Sequence, residues 1–427
     1  MSPDRTFIVV GGGLAGAKAA QTLRSEGFDG RLLLFGEEPV RPYERPPMSK
    51  TYLRGESSFD DAAVHDADFY KTHEIELHTS TVVASLDPAA SQVQLAAGAR
   101  IGYERVLLAT GAAPRRPNVP GVELEGFHLL RTVADSDAIN AAVTAGAPIV
   151  VIGAGWIGSE VAASARQLGA DVTMIDLASV PLERVLGPEV GGVYRDLHEA
   201  HGVNVCLGVG IEAIKGAGRV EEVRLSDGSV LPAGAVVAGI GVLPRTELAA
   251  AAGLHIDNGV LCDEYLATSA PGVYAAGDVA SAWHPTYGAP IRLEHWSAAL
   301  NQGPVAAQNM LGIATPYEKV PYFYSDQYDL GMEYRGWAPT YDRVVFRGDP
   351  AGGEFIAFWL RDGVVAAAAK QCTARSDRVR GSADGVFVGR GLVPPPDGPG
   401  PACTRHRRNR EGRRRAPARG SERRAAA

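Results

Sequence analysis

Short apolar runs rich in β-branched residues alternate with amphipathic stretches through the first 300 residues of the chain. Some of these runs are followed by a stretch whose apolar spacing predicts a helix. Continuous apolar runs of this length are typical of parallel strands that are buried on both faces. The runs that predict buried strands are residues 6–10, 31–35, 105–109, 149–152, 171–175 and 235–240, and the clearest predicted helices are residues 14–25, 159–168 and 297–311.

The pattern changes beyond residue 320. Residues 322–324, 343–346 and 355–360 are aromatic and alternating. Alternation of this kind predicts an antiparallel sheet. The pattern therefore predicts an α/β protein with parallel sheets in its first 300 residues and a C-terminal α+β domain built on an antiparallel sheet.

Two glycine frames of the form G-x-G-x-x-G predict that the parallel sheets belong to two Rossmann-like dinucleotide-binding domains. Gly11, Gly13 and Gly16 follow the first apolar run, and a second frame at residues 153–158 follows the run at 149–152. The first glycine permits a tight turn, the second lets the backbone approach a pyrophosphate, and the third lets the helix pack on the strand. Amides at the helix start then face the phosphates.

An acidic residue follows each frame at the spacing that suits a ribose hydroxyl. Glu37 comes after the first frame, and Asp176 ends the strand that follows the second. Chance would have to supply strand, glycines and acid twice, so the chain is expected to hold two dinucleotides. Asp176 also favours NADH, because the 2′-phosphate of NADPH would meet like charge there, and residues 177–179 contain no arginine.

Composition excludes several classes of protein. The chain of 427 residues is 45% hydrophobic and 21% charged, as in a globular protein of two or three domains. It has no apolar run near the roughly 20 residues that span a membrane. The first strand begins at residue 6, which leaves no room for a signal peptide, so a cytoplasmic location is expected.

Cysteines and histidines predict neither a disulfide framework nor a metal site. Cys206, Cys262, Cys372 and Cys403 are far apart, and none forms a C-x-x-C pair. The spacing of residues 198 and 201 lets two histidines share a helix face, which is more typical of a surface pair than of a metal site.

Several motifs fall in one order and carry a resemblance. They are the two glycine frames, residues 45–50 (Arg-Pro-Pro-Met-Ser-Lys), 109–111 (Ala-Thr-Gly), 276–278 (Ala-Gly-Asp) and 325–328 (Ser-Asp-Gln-Tyr). Together they resemble the two-dinucleotide flavoprotein reductases. Among these, the chain is similar to the NADH-dependent ferredoxin reductases of oxygenase systems, the family of putidaredoxin reductase and the biphenyl dioxygenase ferredoxin reductases.

The resemblance implies a set of site residues. Lys50 would lie near the reactive edge of the flavin, Trp296 beside the isoalloxazine and Glu160 near the nicotinamide, with Glu160 pairing Lys50. The implied FAD contacts are Gly11, Gly13, Leu14, Ala15, Gly16, Glu37, Arg45, Lys50, Val83, Ala109, Thr110, Gly111, Arg131, Gly277, Asp278 and Trp296. The implied NADH contacts are Gly153, Gly155, Ile157, Gly158, Glu160, Asp176 and Gly241.

Structural alternatives stay open for some of these residues. Arg131 and Val83 could be ordinary surface and core residues. Trp296 could fill the core, and Glu160 could be a solvated helix charge.

The resemblance also implies the domains: residues 1–115 and 246–318 for tightly bound FAD, 116–245 for NADH, and 319–370 for the C-terminal α+β domain.

The implied activity is electron transfer from NADH through FAD to a small iron–sulfur ferredoxin that supplies an oxygenase. The first cysteine is residue 206. The redox-active cysteines of related disulfide reductases and NADH oxidases are therefore missing, and reduced flavin would pass electrons directly to an outside acceptor. A thiol-dependent NADH oxidase or disulfide reductase, and a slow-turnover NADH-sensing flavoprotein, are the alternatives.

The resemblance ends near residue 370, where a basic tail begins. Residues 371–427 carry a net charge of +9, while the rest of the chain carries −16. The tail is rich in Arg and Pro without apolar periodicity, which predicts disorder. It could bind nucleic acid or an acidic partner. Replacement of the natural C-terminus by unrelated sequence, for example through a shifted reading frame, is the favoured interpretation, so no nucleic-acid partner is expected.

Overall fold

The computed structural model describes residues 5–373 and contains two parallel sheets of five strands each. All their strand pairs are parallel, as the continuous apolar runs predict. With strands numbered along the chain, the first sheet contains, in spatial order, β19 (Val273–Ala275), β7 (Arg105–Leu108), β1 (Thr6–Val10), β2 (Arg31–Phe35) and β3 (Ile75–His78). The second contains β12 (Asn204–Leu207), β11 (Val172–Asp176), β10 (Ile149–Ile152), β16 (Ala235–Ala238) and β9 (Phe127–Leu129).

Helices cover these sheets. Two of them, α1 and α8, pack closely against each other although nearly 300 residues separate them in the chain. The first sheet thus includes a strand, β19, that comes later in the chain than every strand of the second sheet. The helices are α1 (Leu14–Ser25), α2 (Phe59–Ala62), α3 (Phe69–Thr72), α4 (Val133–Thr144), α5 (Trp156–Gln167), α6 (Glu183–Ala200), α7 (Glu247–Ala251) and α8 (Trp296–Met310), with 3₁₀ turns at Pro46–Ser49 and Gly277–Val279.

Four small sheets decorate the parallel ones. The pair β8 with β17 lies where the chain leaves the first sheet and returns to it. The small sheets are β4 (Val83–Asp87), β5 (Gln92–Leu95) and β6 (Arg100–Gly102); β13 (Ile211–Lys215), β14 (Glu222–Leu225) and β15 (Val230–Pro232); β8 (Ala112–Pro114) and β17 (Val242–Pro244); and β18 (Val260–Cys262), β20 (Ala280–His284) and β21 (Ala289–Ile291).

A five-stranded antiparallel sheet follows residue 320. In spatial order it contains β22 (Tyr322–Gln327), β23 (Leu330–Gly336), β26 (Val364–Thr373), β25 (Glu354–Arg361) and β24 (Arg343–Asp349). Its core is shared with α6, because Leu186, Val190 and Tyr194 pack in one buried cluster with Trp359. The Trp359 indole N–H also donates to the carbonyl of Leu186 at 3.1 Å. The C-terminal sheet is therefore packed directly on a helix of the second parallel sheet.

The predicted fold class is confirmed, with local differences. Residues 60–79 are partly helical as expected, but they also contain the strand β3. The last strand continues through Thr373, beyond the boundary at residue 370 that composition suggested. The remainder of the expected disordered tail, with Cys403, lies outside the described residues. Within residues 5–373, no helix combines the length and apolar character needed to cross a bilayer.

Candidate functional site

One cavity joins the two parallel sheets and is lined from both. Ligands of open α/β sheets bind outside the carboxyl ends of the strands, and the glycine frames stand at those ends of β1 and β10. The predicted site residues that line the cavity are Gly11, Gly13, Leu14, Ala15, Glu37, Arg45, Lys50, Val83, Ala109, Thr110, Gly111, Arg131, Gly153, Gly155, Ile157, Glu160, Asp176, Gly241, Gly277, Asp278 and Trp296.

The two predicted residues outside the lining are the third glycines of the frames, Gly16 and Gly158. A Cβ on Gly16 would lie 2.1 Å from the carbonyl oxygen of Gly11, and one on Gly158 would lie 1.8 Å from that of Gly153. These glycines let α1 and α5 pack against the turns that precede them. Their contribution is helix packing rather than direct contact with a ligand.

The first turns of α1 and α5 present backbone amides to the cavity. Each helix is capped by a glycine, Gly13 or Gly155, in extended conformation and without a side-chain hydrogen bond from the described residues. Four amides at a helix start have no partner within the helix. Both termini are therefore suited to phosphate oxygens.

A buried ion pair lines the same cavity as the two glycine turns. The Lys50 ammonium is 2.5 Å from Glu160 Oε2, and the two side chains are 11% and 4% exposed. Glu160 Oε2 also accepts a hydrogen bond from Ser49 Oγ at 2.5 Å, and its Oε1 accepts one from Ser325 Oγ at 2.8 Å. The alternative interpretation of Glu160 as a solvated charge is wrong, because α5 turns this carboxylate into the protein interior.

The loop that carries Lys50 is braced by helices of the second sheet. Ser164 Oγ on α5 donates to the carbonyl of Ser49 at 2.7 Å, and Asn140 Nδ2 on α4 donates to that of Leu53 at 2.7 Å. Prolines 46 and 47 restrict the same loop from within. The Lys50 ammonium also lies 5.7 Å from the ring centre of Tyr324. The lysine is thus held in place from three directions.

A second ion pair, Arg131 with Asp278, also lines the cavity. Arg131 Nη2 is 2.8 Å from Asp278 Oδ2, with side chains 23% and 13% exposed. Arg45 pairs with Glu38 at 2.8 Å and donates to the carbonyl of Arg131. Burial lowers the pKa of Arg131. The interpretation of Arg131 as an ordinary surface residue is wrong, since its guanidinium is enclosed and paired in the cavity wall.

Aromatic side chains form the wall near the start of α8. Trp296 is the first residue of α8, is partly buried and lies edge-on to Tyr324, with ring centres 6.1 Å apart. His295 stacks on Phe323 at 4.3 Å, and burial lowers its pKa to about 4, so the imidazole is neutral near pH 7. Trp296 therefore lines the cavity rather than only filling the core.

Asp176 secures the turn between β10 and α5. Its Oδ2 accepts a hydrogen bond from the amide of Ala154 at 2.6 Å, and its Oδ1 accepts one from Ala178 at 2.8 Å. Each carboxylate oxygen has two lone pairs, so both retain capacity for a ligand hydroxyl. Glu37, the matching acid of the first frame, pairs with Arg245 at the cavity edge.

The chain matches two known family patterns. The sequence pattern described as pyridine nucleotide-disulphide oxidoreductase matches residues 5–303. The chain belongs to this family. A second pattern, described as reductase C-terminal, matches residues 322–378, so the resemblance continues past the residue 370 at which it was expected to stop.

Curated relatives of this oxidoreductase include ferredoxin reductases. The ferredoxin reductase subunit of the 5,5′-dehydrodivanillate O-demethylase of Sphingobium sp. is 40% identical over 93% of this chain and 98% of its own length. Rhodocoxin reductase of Rhodococcus erythropolis is 39% identical over 83% of each chain. Putidaredoxin reductase of Pseudomonas putida is 37% identical over 84% of this chain and 87% of its own.

Solved structures agree with the relatives. The covalent putidaredoxin reductase–putidaredoxin complex matches with a TM-score of 0.84 at 36% identity, covering 87% of this chain and 90% of the matched chain. The ferredoxin reductase of the CYP199A2 system from Rhodopseudomonas palustris also matches with a TM-score of 0.84. The expected resemblance is confirmed, and the chain is an FAD-dependent oxidoreductase that uses NAD(P)H.

The cavity of this oxidoreductase fits two dinucleotides. A Cβ on Gly11 would lie 2.0 Å from the carbonyl oxygen of Ala109, and the positive φ of 127° at Gly11 suits glycine. The turn therefore brings bare backbone to the cavity. The second turn repeats this arrangement, and both face a single cavity, as a flavin and a nicotinamide that must exchange a hydride require.

Sequence reasoning missed several side chains at this site. Ser49 and Ser325 lie within motifs that the resemblance used, and those motifs were the signal that could have identified them. Arg245 and Arg184, which both line the cavity, carried no local signal. Their positions depend on how the chain returns to the first sheet and on where α6 begins.

The prediction that His198 and His201 form a surface pair is wrong for His198. This residue is fully buried on α6, with its Nε2 2.9 Å from Gln327 Oε1. His201 is exposed and stacks on the ring of Tyr328 at 3.7 Å. Among residues 5–373 no cluster of His, Cys, Asp and Glu has the arrangement of a metal site.

Proposed function

We propose that this protein is the NADH-dependent ferredoxin reductase of an oxygenase system. It would take a hydride from NADH onto FAD and pass single electrons to a small iron–sulfur ferredoxin. The observation that carries the proposal is a single cavity that is lined by both glycine turns and by the buried Lys50–Glu160 pair. The names of the relatives support the acceptor class. The proposal includes a cytoplasmic location, where NADH is available.

The proposal assigns the predicted residues and domains to the two cofactors. Residues 1–115 and 246–318 would hold FAD, residues 116–245 would hold NADH, and residues 319–370 would form the C-terminal domain. The FAD residues would be Gly11, Gly13, Leu14, Ala15, Gly16, Glu37, Arg45, Lys50, Val83, Ala109, Thr110, Gly111, Arg131, Gly277, Asp278 and Trp296. The NADH residues would be Gly153, Gly155, Ile157, Gly158, Glu160, Asp176 and Gly241.

FAD when bound supplies the redox chemistry, because it accepts a hydride and can release electrons one at a time. The Lys50 ammonium supplies fixed positive charge in an enclosed site, which stabilises negative charge that develops there. Glu160 keeps this ammonium paired, since an uncompensated buried charge is costly. The cavity lining contains no cysteine from the described part of the chain. The described residues thus offer no thiol at the site, in contrast to thiol-dependent NADH oxidases and disulfide reductases.

The test is NADH-driven reduction of added acceptors by the FAD-loaded protein. A panel of [2Fe–2S] ferredoxins with a rubredoxin as comparison should show rapid, saturable reduction of at least one ferredoxin. If NADH reduces the flavin rapidly but no ferredoxin speeds its reoxidation, the proposed electron acceptor is wrong and an NADH-sensing role is favoured.

The Lys50→Ala protein, compared at equal FAD content, should show slower flavin reduction by NADH, and an unchanged rate would contradict the role of the ion pair.

We also infer a preference for NADH over NADPH. The Asp176 carboxylate suits the ribose hydroxyls of NADH and repels the 2′-phosphate of NADPH. Arg184 on α6 also lines the cavity and is a cation that a phosphate could reach. Asp176→Ala should therefore raise the KM for NADH and lower the KM for NADPH. In the double variant Asp176→Ala with Arg184→Ala, the improvement in the KM for NADPH should be lost. A wild-type KM that is lower for NADPH than for NADH would refute this inference.

A further inference from the structure

The Glu160 carboxylate is held from the C-terminal sheet as well as from the Lys50 loop. Ser325 on β22 donates to Glu160 Oε1 at 2.8 Å, whereas Lys50 and Ser49 both donate to Oε2. Ser325 is 1% exposed. Donors at both oxygens fix the orientation of the carboxylate, and Ser325 is the one donor that comes from the C-terminal sheet among the residues described.

A buried chain of hydrogen bonds extends from Ser325 to α6. Gln327 Nε2 lies 3.3 Å from Ser325 Oγ, and Gln327 Oε1 lies 2.9 Å from His198 Nε2. Tyr328 Oη lies 3.3 Å from His198 Nδ1. Gln327 and His198 are 1% and 0% exposed, so water does not compete for these groups.

The negative charge on Glu160 determines which group donates in each of these hydrogen bonds. A carboxylate only accepts, so Ser325 donates to it and accepts from the Gln327 amide N–H. The Gln327 oxygen then faces His198, which must carry its proton on Nε2. Burial lowers the pKa of His198 to about 4, so the ring is neutral and its Nδ1 accepts from Tyr328.

We propose that Ser325 is a positioning residue for hydride transfer. It acts through Glu160, which it holds against the Lys50 ammonium, and Gln327 and His198 fix the direction in which its hydroxyl donates. The C-terminal sheet thereby sets the geometry of the ion pair in the cavity. This inference rests on the proposed function only for the effect on hydride transfer, because the hydrogen-bonded geometry can be measured without NADH.

Other ionisable groups lie on the elements packed around this carboxylate and are left intact by the test. Tyr194 on α6 is buried beside it, and burial together with the charges of Asp326 and Glu160 raises the pKa of Tyr194. Arg54 donates to Ser164 at 3.3 Å, one turn of α5 beyond Glu160. Substitution of Ser325 changes none of these charges, so a change in the ion pair reports the lost hydroxyl.

The first measurement is the ¹H–¹⁵N signal of the Lys50 ammonium in the FAD-loaded protein without NADH, assigned by its loss in Lys50→Met. The signal should be sharp in the wild type, because the ammonium is buried and hydrogen-bonded, and broadened by solvent exchange in Ser325→Ala. Ser325→Thr keeps the hydroxyl and should restore it. Ser281→Ala is the matched control, since it removes a serine hydroxyl of β20 that is 4% exposed and lies outside both the Lys50 loop and the cavity lining.

The second measurement is flavin reduction by NADH in a rapid-mixing instrument. Ser325→Ala should lower the limiting rate roughly tenfold, as expected when a group that acts at the site is misplaced, with the Kd for NADH little changed. Ser325→Thr and Ser281→Ala should stay near the wild-type rate. An unchanged ammonium signal or an unchanged limiting rate in Ser325→Ala would each overturn the positioning role.

A third measurement tests the direction in which the hydrogen bonds from Ser325 to Tyr328 donate. Long-range ¹H–¹⁵N spectra should show His198 protonated on Nε2 near pH 7, and protonation on Nδ1 would overturn the argument. The proposed function fails separately, if the wild-type protein does not reduce its flavin with NADH or delivers no electrons to a ferredoxin. In that case the ammonium signals still decide whether Ser325 orients the ion pair.

Discussion

Removing either member of the Lys50–Glu160 pair should destabilise the protein, but by unequal amounts. A buried pair that loses one partner costs about 3–5 kcal/mol, because the other charge stays buried without compensation. After Glu160→Leu, the Lys50 ammonium retains only the Pro46 carbonyl at 3.3 Å as an acceptor among the described residues. After Lys50→Met, Glu160 retains two serine hydroxyls, each worth about 1.5–3 kcal/mol as a hydrogen bond to a charge.

We therefore expect Glu160→Leu to cost about 4 kcal/mol and Lys50→Met about 2 kcal/mol. The double variant removes both charges, and the coupling energy of the cycle should be about 2 kcal/mol. Equilibrium urea unfolding at fixed excess FAD measures these values, with the FAD Kd of each variant used to subtract the binding contribution. Tryptophan fluorescence and far-UV circular dichroism should give coincident transitions.

Two outcomes would refute this reasoning. One is a Lys50→Met protein that is less stable than Glu160→Leu, since the serines would then contribute nothing. The other is a coupling energy near zero, which would mean that the pair is solvated. The double variant also separates stability from function: with this coupling it should be no less stable than Glu160→Leu alone, because the uncompensated buried ammonium is gone, yet it should reduce its flavin slowly. A double variant with the wild-type rate would contradict the electrostatic role of Lys50.

Two further predictions concern acid stability and helix packing. The pKa of His198 is about 4 in the folded protein and about 6.5 unfolded, so the unfolded chain binds the proton first and stability falls as pH drops from 6.5 to 4, by up to about 3 kcal/mol. His198→Gln should flatten this fall in urea unfolding curves, and equal slopes would contradict the assignment. Gly303→Ala should destabilise by about 1–3 kcal/mol and weaken FAD retention, because its Cβ would lie 2.3 Å from the Ala15 carbonyl. Gly192→Ala on α6, with open space around its Cβ, is the matched control and should be neutral or stabilising in thermal melts; equal melting temperatures for the two variants would refute the packing argument.

Sequence alone determined the two nucleotide-binding turns. A strand, three glycines and an acid at fixed spacing are local requirements, and every one of them involves residues close in the chain. The third glycines illustrate this, since Gly16 and Gly158 each pack on a carbonyl only five residues earlier. The resemblance added Lys50, Glu160 and Trp296, and these three residues do meet at one cavity.

Only the tertiary structure decided how the site is held together. Ser325 meets Glu160 across 165 residues of sequence, and Arg245 meets Glu37 across 208. His198 is buried because the C-terminal sheet covers α6, which no local pattern on that helix could reveal. Local patterns encode which backbone can bind a phosphate, whereas the partners of a buried charge depend on which distant strands pack over it.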